Sequence, residues 1–370
     1  MSGIYIHIPF CKQACHYCNF HFSTSLKYRK RMMEAIVKEV EINDFEVSKD
    51  CSSIYLGGGT PSILTADELS LIFEGLRNRY QWNEDIEITL EANPDDIFPE
   101  RLEAWKTAGI NRLSIGIQSF YEEDLQWMNR AHDSGQALKA IDLARDHGFD
   151  NLTIDLIYGS PTTSDEMWRS NIQRALDYNI KHISSYCLTV EEGTALEHFI
   201  RKGKSAPLDQ EKAISQFDVL MDTLEEEGFE HYEISNFAKP GFHAVHNTSY
   251  WKGVPYIGYG PSAHSYNGKR RQWNIANNMK YIKAIESGQL PAEGEELSAI
   301  DRYNEHVLVR LRTIWGINPE ELDEKYRIHF LEKTRELIDS GMLILKDGRF
   351  TLTRQGKHMA DFVSMELMYG

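Results

Sequence analysis

The sequence predicts an α/β fold: a partial (β/α)6 TIM-like barrel followed by a C-terminal winged-helix-like α+β module. Three observations predict it. Short β-branched runs alternate with amphipathic stretches six times in the first half of the chain, the pattern of parallel strands joined by right-handed helical crossovers. Polar residues stand at the C-terminal ends of those runs, where such sheets carry their sites. Near the end, an Asp347-Gly348 turn separates two short apolar runs, a hairpin signal inside an otherwise helical stretch.

The strand runs are residues 4–9, 53–56, 86–91, 112–118, 151–158 and 182–188. Between the first two, residues 26–45 place Tyr28, Met32, Ile36 and Val40 at four-residue spacing, one face of a helix. Thr65-x-x-Glu68 is a capping box that opens the next helix. Residues 99–108 begin on proline and end before Gly109, the usual asymmetry of helix termini. Residues 135–147 end at Gly148, and Thr163-x-x-Glu166 opens a helix running to Tyr178. A complete barrel needs eight units, so six leave a curled sheet with a wide mouth. A further helix is expected over 209–228. Residues 233–268, rich in glycine, asparagine, histidine and aromatics, read as irregular. The tail reads helix, helix, helix, hairpin, helix. The expected division is a core over 1–295, with β/α repeats to about 206 and a helical and loop extension after them, and a module over 298–370.

Composition narrows the function. The chain has 370 residues, 41% of them hydrophobic and 26% charged, as an ordinary globular protein does. Its net charge of −16 argues against a general nucleic-acid binder, because phosphate affinity comes from Lys and Arg. From Ser298 onward there are 11 Lys/Arg against 12 Asp/Glu, so the winged-helix-like module has no basic face. No run of about 20 apolar residues exists, so no transmembrane helix is expected, and no signal peptide is read. Five cysteines, three of them crowded together, do not make a disulfide framework, and a reducing cytoplasm fits best.

The three crowded thiols are Cys11, Cys15 and Cys18, a C-x3-C-x2-C triplet directly after the first strand. Four-cysteine iron–sulfur sites use one more. A cubane held by three keeps one iron without a protein ligand, free to bind a small molecule and pass it an electron. The rival is zinc with His7, His16 or His21 as fourth ligand; structural zinc sites more often come as two separated cysteine pairs. Gly57-Gly58-Gly59-Thr60-Pro61 ends the second strand, where glycines permit close backbone approach to a ligand. No Gly-Lys-Ser/Thr follows, so it is not a phosphate-binding loop of that type. Glu91, Gln118 and Asp155 end strands where apolar residues would be expected, and buried polar groups are costly unless paired. Arg130 is a candidate for bidentate contact with a carboxylate. Cys51 and Cys187 lie in strand runs, where free cysteine is usually a small core hydrophobe.

The cysteine triplet with Tyr17 before its last cysteine, followed by the Gly-Gly-Gly-Thr-Pro loop, resembles the radical S-adenosylmethionine (SAM) superfamily. The resemblance is strongest to its oxygen-independent coproporphyrinogen oxidase-like branch. It extends through Tyr232-Glu233-Ile234-Ser235-Asn236-Phe237-Ala238 and Gly258-Tyr259-Gly260-Pro261-Ser262-Ala263-His264-Ser265. It implies a [4Fe-4S] cluster on Cys11, Cys15 and Cys18 with SAM on the open iron. Carried over by motif position, it implies SAM contacts from Tyr5, Gly58, Gly59, Thr60, Glu91, Gln118, Arg130 and Asp155.

Two departures separate the chain from the oxidase of that branch. The oxidase has a further cysteine two after the third, where this chain has Phe20, and a long arm before its cysteines, where this chain has ten residues. His246-Asn247-Thr248-Ser249-Tyr250-Trp251 instead resembles the H-N-x-x-Y-W motif of the heme chaperones of the branch. That resemblance implies heme as a bound group, His246 as its candidate axial ligand with His243 and His264 as rivals, and a haem-requiring acceptor protein such as a respiratory enzyme. The alternative it leaves open is an oxygen-independent coproporphyrinogen III oxidase.

Overall fold

The computed structural model describes residues 1–370. Six parallel strands follow one another in the sheet: β1 (Ser2–Ile8), β2 (Cys51–Gly58), β3 (Glu87–Ala92), β4 (Arg112–Gln118), β5 (Asn151–Tyr158) and β6 (His182–Cys187). Side chains alternate along each. In β1, Ile4, Ile6 and Ile8 pack outward with Met32 and Ile36 of the helix Arg29–Ile42, while Tyr5 and His7 take the other face. Leu113, Ile115 and Ile117 of β4 and Leu152, Ile154 and Leu156 of β5 join the same core of 57 buried residues. Each fully buried isoleucine or leucine contributes roughly 1.5–3 kcal/mol, so this outer layer dominates stability. The inner face is polar and bonded across strands: Tyr55 to Glu91, Ser114 to Asp155, Thr153 to His182.

The helices form where the local signals place them. Thr65 accepts from the Glu68 backbone N–H, and the Glu68 side chain answers the Thr65 N–H, closing the capping box of helix Ala66–Arg77. Helix Pro99–Ala108 ends on Gly109 at φ 94, a left-handed residue that glycine adopts without strain. Two boundaries differ from expectation. The first helix begins as one 3-10 turn, Leu26–Tyr28, before Arg29–Ile42. Helix Asp165–Asp177 is capped by Ser164 rather than Thr163, because the Ser164 hydroxyl is the one that accepts from the Met167 N–H.

The larger difference lies in residues 233–268, which are ordered rather than irregular. They supply β8 (Asn236–Ala238), helix Val245–Trp251, β9 (Tyr256–Tyr259) and β10 (His264–Tyr266), after β7 (Glu230–Glu233). β11 (Arg270–Asn274) and β12 (Ala292–Glu296) follow, giving twelve strands in the order β12-β11-β10-β9-β1-β2-β3-β4-β5-β6-β8-β7. β9 runs parallel to β1, pairing Gly3 with Tyr256 and Ile6 with Tyr259. Its glycine is needed there: a Cβ on Gly258 would meet the His264 carbonyl oxygen at 2.2 Å. The buried Glu39 carboxylate ties this extension to the first helix, accepting from the Gly260 N–H (2.8 Å), Asn274 (2.7 Å), Asn43 and Tyr281.

The C-terminal segment has a core of its own, 13 buried residues that include Val307, Leu311, Phe330, Phe350 and Val363. It comprises helices Ala299–Leu311 and Glu324–Asp339, the hairpin of β13 (Leu343–Lys346) and β14 (Arg349–Leu352), and helices Arg354–His358 and Ala360–Leu367. The third helix expected before the hairpin is one 3-10 turn, Pro319–Glu321. Asp347 at φ 51 and Gly348 at φ 75 make the hairpin turn, as the Asp-Gly pair predicts. The segment joins the sheet edge through backbone bonds, Ile234 N–H to the Arg312 carbonyl and Ile314 N–H to that of Tyr232, both 3.0 Å.

Candidate functional site

A cavity of about 420 Å³ opens at the C-terminal ends of the parallel strands. It gathers residues from far apart in sequence: Cys11, Cys15 and Cys18 from the loop after β1, Gly58, Gly59 and Thr60 from the end of β2, Glu91 from β3, Gln118 from β4, Arg130, and Asp155 from β5. Ten of the twelve sequence-derived site residues therefore line one cavity. Tyr5 and His246 are not among the lining residues.

The cysteine loop is pinned by its neighbours. Phe10 bridges to Ser23, the Cys11 N–H donates to the Ser23 carbonyl (3.1 Å), and the Gly59 and Thr60 N–H groups donate to the Ile8 and Phe10 carbonyls (2.9 and 2.7 Å). The glycines make that seam possible. A Cβ on Gly59 would lie 2.6 Å from the Phe10 oxygen, one on Gly58 would meet the His7 ring at 2.5 Å, and Gly58 holds φ +106. The loop thus packs against the strand that carries the cysteines while also facing the cavity.

All three thiols are free and partly exposed. Burial pushes the Cys11 thiol up to about 11, with a hydrogen bond from Thr60 acting against it, and burial also raises Cys18. Such thiols ionise when a metal supplies the positive charge. No three histidine, cysteine, aspartate or glutamate side chains converge as a single ion requires. Of the candidate zinc histidines, His7 has both ring nitrogens engaged, Nδ1 with Tyr5 and Nε2 with the His21 carbonyl, while His16 bonds the Trp127 carbonyl through Nδ1 and His21 bonds Asn278 through Nε2. Three thiols on one short loop are the donor set of a cubane with one iron left open, and Cys11, Cys15 and Cys18 would hold it there.

Arg130 is an anchored residue rather than a surface one. Its guanidinium donates to Cys15 Sγ (3.3 Å), to Asn93 Oδ1 (2.8 Å) and to the Gly116 carbonyl (2.8 Å). It sets a fixed cation beside the thiol triplet. Across the cavity, Glu91 accepts from Tyr55 Oη (2.8 Å) and from the Gly58 N–H (3.2 Å), and Asp155 accepts from Ser114 (3.2 Å). Burial pushes the Glu91 carboxyl up to about 7 and the Asp155 carboxyl up to about 6. Two part-buried carboxyls, neither in an ion pair with a basic side chain, form a site that a cationic ligand satisfies. Gln118 adds an orphan acceptor: its Oε1 has no partner, and its backbone is held at φ 64, where a register irregularity turns the end of β4. Strain of this kind costs about 1–3 kcal/mol and persists where the surroundings over-determine it. A ligand that offers positive charge and hydroxyl donors, as SAM does, matches this donor and acceptor set.

Among the lining residues that the sequence reading did not assign to the site are Asn93, Ser114, Tyr186 and Cys187. Ser114 was legible as a polar residue at an inward position of β4. Cys187 was expected in the core and is instead exposed on the cavity wall, because β6 ends there. Cys51 is buried, as a core cysteine should be.

Tyr5 lies one layer below, stacked on Tyr55 and bonded through its hydroxyl to His7 Nδ1 (3.1 Å). His246 stands apart from the cavity. It sits among the starts of β1, β2 and β3, at the end of the barrel opposite the cysteines, and is 2% exposed. Its Nδ1 is hydrogen-bonded to Ser53 (2.8 Å), its ring edge lies 3.3 Å from where a Gly3 Cβ would stand, and its Nε2 is enclosed without a partner. In this arrangement that nitrogen presents no surface to the cavity or to solvent. Of its rivals, His243 is bonded to Glu230 and stacked on Tyr232, while His264 is exposed on the strand extension.

Comparison with known proteins agrees with this geometry. The model of the radical SAM superfamily matches residues 5–175, and that of the HemN C-terminal domain matches residues 297–358. The chain is 32% identical to the heme chaperone HemW of Mycobacterium tuberculosis, over 99% of this chain and 94% of that one. It is 32% identical to HemW of Bacillus subtilis over 98% of each, and 35% identical to HemW of Escherichia coli over 71% of this chain and 69% of that one. The fold matches that of coproporphyrinogen III oxidase (HemN) from Escherichia coli at a TM-score of 0.84 and 23% identity, covering 99% of this chain and 89% of that one. Radical SAM membership brings the cofactors with it, a [4Fe-4S] cluster and SAM. With likeness of this level along the full length, the chain belongs to the HemW family of the radical SAM superfamily.

Proposed function

We propose that this chain is a cytoplasmic heme chaperone that binds heme and delivers it to a haem-requiring acceptor, such as a respiratory enzyme, around a SAM-binding [4Fe-4S] cluster. The observation that carries the reading is the likeness to HemW proteins through 98–99% of the chain. Cys11, Cys15 and Cys18 hold the cluster, and Gly58, Gly59, Thr60, Glu91, Gln118, Arg130 and Asp155 hold SAM. Tyr5 acts from below through His7. When bound, the cluster and SAM supply one-electron chemistry at the iron that no cysteine ligates. The chain's own part is electrostatic: Glu91 and Asp155 accept the positive charge of SAM, and Arg130 offsets the charge of the thiolates.

Phe20 stands where the oxidase pattern has its further cysteine and is 68% exposed. With the exposed Tyr186 it gives the cavity mouth flat apolar area against which a porphyrin face can pack, with heme there as cargo. The test uses full-length protein reconstituted anaerobically. It is titrated with heme, and separately assayed with SAM, a reductant and coproporphyrinogen III. Saturable heme binding without protoporphyrinogen formation supports the chaperone. Robust protoporphyrinogen formation, or no saturable binding, overturns it.

A further inference from the structure

Helix Val245–Trp251 closes the floor of the barrel. Its first two N–H groups, those of Val245 and His246, donate to the two oxygens of Glu87, each at 3.0 Å. Glu87 in turn faces the buried Arg112. An acidic cap on a helix N-terminus is favourable twice, through its hydrogen bonds and through the helix dipole. The latch fixes the height and rotation of the His246 ring inside the barrel.

That ring has two engaged surfaces. Its edge meets Ser53 through Nδ1, and its face stacks on Tyr55 with centroids 5.1 Å apart and planes 26° apart. The Tyr55 hydroxyl, at the far end of the same ring, donates to Glu91 (2.8 Å), and Glu91 faces the cofactor cavity. We propose that His246 is a positioning residue of the barrel floor: it seats the Tyr55 ring, and through it the Glu91 carboxylate, for SAM, and it does not ligate heme iron. The proposal rests on the reading of the cavity as the SAM site. It reassigns the histidine of the H-N-x-x-Y-W motif from cargo binding to the architecture beneath the cofactor. Tyr250 of the same motif packs edge-on against His246 at 5.1 Å and holds it from the other side. Removing the imidazole leaves a gap beside Tyr55, and the Tyr55 hydroxyl no longer has one enforced position.

The experiment compares wild type, His246→Ala and His246→Phe as full-length reconstituted proteins. SAM affinity is measured by equilibrium dialysis and heme affinity by Soret titration. Phenylalanine keeps a stacking ring but cannot ligate iron, and thermal melting establishes that it folds. The alanine variant is expected to bind SAM about tenfold more weakly, the scale of one aromatic pair, with the phenylalanine variant within about threefold of wild type. Heme affinity and the Soret maximum are expected unchanged in both. Loss of the Soret band in folded His246→Phe, or unchanged SAM affinity in His246→Ala, overturns the proposal. Because wild-type SAM binding is measured alongside, a failure of the cavity reading shows as wild type that does not bind SAM.

Discussion

Glu91 has to serve two states. A carboxyl raised to about 7 holds its proton more tightly in the folded chain than in the unfolded one. Its contribution therefore favours folding below about pH 4.5 and is lost as pH rises through about 7. Glu91→Gln is expected to stabilise the cofactor-free chain by about 1–2 kcal/mol at pH 8 and to leave it unchanged at about pH 4, read from urea midpoints. The same change is expected to weaken SAM binding about tenfold or more, since the ligand's positive charge loses a charge-assisted partner. An equal effect on stability at both pH values would remove the ionisation argument. Gly59 is a second residue-scale test. Its Cβ would strike two backbone oxygens, of Phe10 and Ile8, so the cysteine loop must shift to admit it. Gly59→Ala is expected to cost about 1–3 kcal/mol and to lower iron and sulfide content after reconstitution. At this scale much was legible. Cys11, Cys15 and Cys18, the glycine loop and the strand-end Glu91 and Asp155 announce themselves by type and spacing. The place of His246 does not, because its neighbours Ser53, Tyr55 and Glu87 reach it only through long-range strand pairing.

At the scale of elements, period-2 alternation carried the reading. Ile4-Tyr5-Ile6-His7-Ile8 states which face of β1 is core and which is lumen, and β4 and β5 repeat the pattern. β9 has no such run. It is four residues long, includes the close-packed Gly258, and joins the sheet through β1 some 250 positions upstream, which no local pattern reveals. Helix Val245–Trp251 is likewise held by a remote carboxylate. Glu87→Ala removes its cap and leaves Arg112 buried without its acidic neighbour, a change expected to cost about 3–5 kcal/mol in chemical denaturation. A loss below about 1 kcal/mol would mean that the helix is not latched there.

At the scale of the whole molecule, two hydrophobic cores lie side by side. Arg354 reaches Asp218 and Asp222 between them, but all three side chains are well exposed, so Arg354→Ala is expected to cost less than about 1 kcal/mol. The backbone bonds at Ile234 and Ile314, with Ile234 packed on the smaller core, hold the module more firmly. Ile234→Asp is expected to expose the linker before Ala299 to limited proteolysis while leaving the barrel intact; an unchanged digestion pattern would move the attachment elsewhere. On the proposed reading, the carboxylate-lined cavity holds the cofactor and its apolar mouth receives the flat cargo. The most direct measurement of that account is transfer. Full-length protein, reconstituted with its cluster and SAM and loaded with heme, is mixed with a heme-depleted haem enzyme, and the recovery of the acceptor's activity is followed. The account predicts recovery that depends on the loaded chain and exceeds that from an equal concentration of free heme. No recovery, or recovery no greater than free heme gives, would contradict it.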